Sequence, residues 1–138
     1  MEFKEEIIFL STNKKIHWLL PIVKKYCDYY NVDPYLIMAI FEFENRKHPK
    51  LISDYRNPGN IKSEETQFVM PIEYDSVETS IELYVRTMNQ IVQRNEIITT
   101  KDIQKLIRPL EPEWGDEVSE VYQKMVDLYR GKYNEEIY

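Results

Sequence analysis

Asp33-Pro34-Tyr35-Leu36-Ile37-Met38-Ala39-Ile40-Phe41-Glu42-Phe43-Glu44-Asn45 reads as a helix that carries a carboxylate out of an apolar run. The Asp33 side chain can accept from the free amides of a first helical turn. Pro34 then takes the first helical position, where a missing N–H costs nothing. Leu36, Ile37, Ala39, Ile40 and Phe43 recur at helical spacing and give an apolar face. Glu42 lies between Phe41 and Phe43. A carboxyl against aromatic rings is poorly solvated, so its pKa is expected to rise towards that of a general acid working near neutral pH. Glu44 stands two residues on and points about 200° away, so only one of the two can face a given cleft. The plain alternative is two solvated glutamates near a helix end.

Outward from this stretch the chain reads as mostly helical. Met1 to Asn13 is ambiguous between a short helix and an extended lead-in, with a break at Ser11-Thr12-Asn13. Ile16, Leu19, Leu20, Val23, Cys27 and Tyr30 predict a helix from Lys14, kinked or restarted near Leu20 by Pro21 and capped by Asn31. Asn45 to Arg56 reads as a polar loop. Asn57-Pro58-Gly59-Asn60 is a turn in which glycine supplies positive φ. Ile61 to Met70 reads as a short hairpin turning at Ser63-Glu64-Glu65-Thr66. Asp75 and Glu78 have capping-box spacing ahead of a helix bearing Val77, Ile81, Tyr84, Val85, Met88 and Ile91. Thr99 or Thr100 caps a short helix through Ile107, and Pro109 and Pro112 mark a connector. The last helix runs from about Glu113 to Arg130, with Trp114, Val118, Val121, Tyr122, Met125, Val126 and Tyr129 inward, and ends at Gly131. This predicts one domain over residues 1–138, with its core in about 14–130 and a tail over 131–138.

Composition narrows the partners. The 138 residues, 43% hydrophobic and 13% aromatic, suffice for a core without staples. A net charge of −6 argues against nucleic acid and against anionic membrane surfaces, but not against a glycan. Eleven tyrosines suit half-buried walls or a sugar-binding groove. The single cysteine, Cys27, excludes an internal disulfide and argues against a cysteine zinc site. Met1-Glu2-Phe3-Lys4-Glu5-Glu6 lacks the layout of a secretion signal, and no apolar run is long enough to span a membrane. His17 and His48 have no serine or cysteine at triad-like spacing. Phosphate-loop, zinc-protease and calcium-loop patterns are absent, so no cofactor and no metal are expected. Carboxylate acid/base chemistry is the catalysis that remains.

Three blocks in order carry a resemblance. Ala39-Ile40-Phe41-Glu42 resembles the Ala-x-x-Glu block ending the catalytic helix of the peptidoglycan glucosaminidases of the lysozyme-like superfamily. Asn57-Pro58-Gly59-Asn60-Ile61-Lys62 is similar to that family's Asn-Leu-Phe-Gly-Ile-Lys block. Pro71 to Ile81 resembles its aromatic-x-x-Tyr-x-Ser-x-x-x-Ser-Ile block. The resemblance spans roughly Val32 to Met88, and more weakly Trp114 to Val118. The chain departs from the family at Phe43-Glu44-Asn45-Arg46, where a small residue and Gly-Trp-Gly are usual.

The resemblance implies a mainly α, lysozyme-like fold of the α+β kind with a small β-hairpin beside a cleft. It implies a hydrolase that cleaves β-1,4 bonds of bacterial peptidoglycan with Glu42 as general acid, Tyr74 lining the cleft, and Asn57, Gly59, Asn60 and Ile61 shaping a sugar-binding floor. Glu64 and Glu65 are the candidates for a second catalytic acid, with Glu73 next, unless the sugar's own acetamido group attacks. A lytic transglycosylase with the same acid is one alternative. A non-catalytic domain that binds glycan or protein is another. The missing signal fits a phage-encoded lysin or virion protein with phage structural partners, or a domain of a longer secreted chain.

Overall fold

In the computed structural model, which describes residues 1–96, 99–108 and 111–133, the ambiguous first stretch is helical. Glu5–Ser11 form α1, with Ile7 and Ile8 fully buried, so the core begins earlier than residue 14. The break after it is as expected, and the Asn13 side chain caps the next turn through the Lys15 amide. Lys14–Leu19 is a 3-10 helix, and α2 (Leu20–Tyr30) starts where Pro21 can sit in its first turn. Asn31 ends α2 in the left-handed conformation, φ 55°.

The quoted stretch is α3, Pro34–Lys47. Asp33 caps it through the Tyr35 amide and accepts from the Tyr122 hydroxyl at 2.5 Å. Every residue from Ile37 to Glu44 is buried, while Leu36, assigned to the apolar face, is only half-buried. The helix therefore has no solvent side over two turns, which is the pattern of a central core helix. Against it pack α2, α4 (Leu51–Tyr55) and the last helix, α7 (Pro112–Tyr133). Between them come α5 (Val77–Asn95), which lies on α2, and α6 (Thr100–Ile107), which lies on α7. Each fully buried large apolar side chain stabilises by about 1.5–3 kcal/mol, so α3 anchors the fold.

Several local expectations are corrected. The 45–56 loop contains α4, whose Leu51 is buried against α3. Positive φ in the turn falls on Arg56 (50°) and Asn60 (54°), not on Gly59. Gly59 is required for room: a Cβ there would lie 2.6 Å from Tyr84 Cε2 and closer still to Cδ2. The cap of α5 is Ser76, bonded to the Thr79 amide, rather than Asp75. Glu78 instead binds Lys25 and the Tyr26 hydroxyl on α2. α7 passes Gly131 and runs to Tyr133. Pro109 and the tail beyond residue 133 lie outside the described residues.

The β-hairpin is not present as strands. Among the described residues there is one isolated antiparallel bridge, Lys62 to Pro71. The loop does turn back on itself, through Ser63 N–H to Met70 O (2.8 Å) and Ile72 N–H to Ile61 O (2.9 Å). Its tip is a 3-10 turn at Glu64–Thr66, and Gln67 and Phe68 both have positive φ, which interrupts an extended ladder.

Candidate functional site: the Glu44 charge cluster

The two glutamates of α3 face opposite ways, and the structure exchanges the properties the sequence suggested. Glu42 Oε1 accepts from the Asn13 amide at 2.7 Å and Oε2 from Arg46 at 2.9 Å. Arg46 is 63% exposed, so this is a helix i,i+4 pair at the surface end of a buried stem. Neither Glu42 nor Glu44 is among the lining residues of the two cavities described below. Tyr74 is half-buried and bonded through its backbone to Tyr55 and Arg56, with burial pushing its hydroxyl pKa up. No hydrogen bond or ring contact joins it to Glu42.

Glu44 is the desolvated acid. It is 1% exposed, and burial pushes its carboxyl above the usual glutamate range, opposed by Arg108 and reinforced by Glu111. Arg108 Nη2 donates to Glu44 Oε2 at 3.1 Å, to Asn60 O at 2.6 Å and to Gly59 O at 3.3 Å. Arg108 Nε stands 3.4 Å from Glu111 Oε2 without forming a hydrogen bond, and Lys62 Nζ stands 3.9 Å from the same oxygen. Glu44, Arg108, Glu111 and Lys62 are thus one cluster, built where α3, the 57–62 turn and the residues after α6 meet.

Asn57 holds that turn. It is fully buried; its amide donates to Ile61 O and Ile72 O, and its carbonyl accepts from Ile61 N, each at 2.9 Å. Asn45 reaches from α3 to Pro58 O at 2.9 Å. Asn57, Gly59, Asn60 and Ile61 are therefore brought together, beside Glu44 and not beside Glu42. Glu64 and Glu65 are exposed on the loop tip, and Glu73 is exposed and paired with Arg56 at 3.0 Å. None of the three belongs to the cluster; Glu111 is the carboxylate that does.

Two cavities flank the 61–71 loop and share Lys62 and Val69. One, of about 580 Å³, is walled mainly by apolar residues of the loop, α5 and α6, with Arg108 and Glu111 on its lining. The other, of about 540 Å³, is more polar, with His48, Asp54, Tyr55 and Asn60 among its lining residues. Burial, then Lys62 and Lys47, push the His48 pKa down, which favours its neutral form. Both volumes lie in the range of small-molecule sites. Comparison with known protein families, curated proteins and solved structures finds no match. The site is thus read from its own geometry.

Other groups are set aside by their surroundings. Cys27 is buried and its thiol is pushed up to about 12, mainly by burial, which makes it a core residue. His17 donates to Thr12 O at 3.1 Å and stacks on Phe9. Among the described residues no three His, Cys, Asp or Glu side chains are grouped to hold a metal ion, and no helix is long and apolar enough to cross a membrane.

Sequence reasoning weighed Glu44 but favoured Glu42, and it did not name Arg108. Glu44 and Arg108 are 64 residues apart, so no local spacing links them. The available signal was the 200° offset, which puts the two glutamates on opposite sides of the helix.

Proposed function

We propose that this chain is a lysozyme-like domain that acts on bacterial cell-wall glycan, cleaving β-1,4 glycosidic bonds with Glu44 as the proton donor in place of Glu42. The observation that carries the reading is a buried carboxyl with raised pKa, paired with the Arg108 that lines the apolar cavity, beside the Asn57–Lys62 turn. The second and third blocks that resemble the peptidoglycan glucosaminidases meet at this turn, through the Asn57 bond to Ile72 O, which supports a shared site. Burial raises the Glu44 pKa, the direction in which a general acid is tuned. Once the proton passes to the glycosidic oxygen, Arg108 at 3.1 Å stabilises the carboxylate left behind. Glu111, close enough to influence Glu44, replaces Glu64, Glu65 and Glu73 as the second-carboxylate candidate. A transglycosylase would need Glu44 alone.

The second reading is a glycan-binding domain that does not cleave. It is favoured by the ion pair itself, since Arg108 covers Glu44 and the two side chains are 10% and 2% exposed.

Digestion of purified peptidoglycan, followed by mass analysis, tests both. Wild type and Glu42→Gln should release the same fragments, and Glu44→Gln should lose at least roughly a hundredfold in rate, the lower range for a general acid. Loss with Glu42→Gln and not with Glu44→Gln would return the role to Glu42. Retention by all three would remove both acids. If nothing is released while the wild type still sediments with the wall, the binding reading stands.

A further inference from the structure

We propose that the apolar cavity between the 61–71 loop, α5 and α6 binds a small amphipathic carboxylate, its apolar body against Leu83, Met88, Ile91 and Ile107 and its head on Arg108. This goes beyond the glycan reading and does not depend on it. The walls are unlike a sugar groove: they are aliphatic, and two large apolar side chains, Phe68 and Leu106, are among the lining residues although 61% and 50% exposed. Leaving such groups in water costs free energy that an apolar ligand would recover.

The polar end is built for an acceptor. Arg108 and Tyr84 both line the cavity, and both are about nine-tenths buried. Arg108 Nε has no hydrogen-bond partner, and neither has the Tyr84 hydroxyl. Two buried donors left unmatched are a standing cost, since an unsatisfied buried polar group costs about 1–3 kcal/mol. Lys62 on the same lining adds a second positive charge beside the Glu111 carboxylate, and a ligand carboxylate is the acceptor whose geometry matches the free guanidinium N–H.

Glu111 marks the spot. Its carboxylate sits 3.4 Å from Arg108 Nε and 3.9 Å from Lys62 Nζ, in contact with both charges but hydrogen-bonded to neither. It is partly exposed, so it can yield to a ligand carboxylate that reaches Nε with better alignment. Glu111 then acts as a weak internal competitor for the head-group position.

Titration calorimetry with decanoate, below the concentration at which it forms micelles, tests this on the whole chain. Decanoate should bind saturably at one site, and decylamine should bind at least about tenfold more weakly, a difference of about 1.4 kcal/mol. Glu111→Gln removes the competitor and should tighten decanoate several-fold without helping decylamine. Leu106→Asp, at a position already 50% exposed, should weaken decanoate about tenfold. Equal binding of decanoate and decylamine, unchanged or weaker decanoate binding by Glu111→Gln, wild-type binding by Leu106→Asp, or no saturable binding at all would each overturn the proposal. Peptidoglycan digestion is read separately, so failure of either idea leaves the other intact.

Discussion

Two carboxylates leave the same helix, two residues apart, and meet opposite chemistries. On the Glu42 side, the partners are a loop amide and an exposed arginine one turn away. On the Glu44 side, they are a buried arginine from the far end of the chain and a turn held by Asn57. Glu42, 7% exposed, is held by the Asn13 amide 29 positions earlier and by an arginine that water reaches. Glu44 is served by tertiary contacts that water cannot reach. The difference teaches that a carboxyl is desolvated by what covers it from a distance along the chain.

The largest effect should come from uncovering Glu44. Arg108→Ala leaves a buried carboxylate without its counter-charge, and breaking such a pair costs about 3–5 kcal/mol. Urea unfolding of the two proteins measures it; a loss no larger than that of an exposed pair would erase the contrast between the two sides. Gly59→Ala comes next. The new Cβ must push into the Tyr84 ring, so overpacking of roughly 1–3 kcal/mol is expected, readable as a lowered Tm.

A pH series sharpens the comparison further. The folded state holds the Glu44 proton at pH values where the unfolded chain has already released it. Stability from this group is therefore complete below the ordinary glutamate pKa and is lost as pH rises through the raised one. Relative to Glu44→Gln, the wild type should lose unfolding free energy as pH increases across that window. A flat difference would mean that Glu44 is not desolvated. The smallest effect belongs to Glu42→Gln, which can still accept from the Asn13 amide and loses only an i,i+4 pair, below about 1 kcal/mol. A cost matching that of Arg108→Ala would put the two glutamates on an equal footing.

The helical class and the caps at Asn31, Asp33 and Thr99 were legible because capping chemistry acts within a few residues. The last helix was legible from its 3.6-residue period: Trp114, Val118, Val121, Met125, Val126 and Tyr129 are buried as that period requires, while Tyr122, also expected inward, is half-buried. α4 was hidden because only Leu51 of its five residues is buried, too little for a period to register. The deeper burial of Glu44 was hidden for a related reason. A helix buried all round has no polar face to orient it, so its two glutamates cannot be ranked from spacing alone. Gly59 was marked as a special position, but for freedom of φ, when what decides it is the ring of Tyr84 arriving from α5.

The first and last helices are fastened to each other. The Glu2 amide donates to the Tyr129 hydroxyl, Lys132 pairs with Glu6 at 2.7 Å, and α7 also covers α3. These partners are 127 and 126 positions apart in the chain. During synthesis, then, the apolar surface of α3 stays uncovered on one side until α7 has left the ribosome. A nascent chain halted before α7 would present that surface to chaperones.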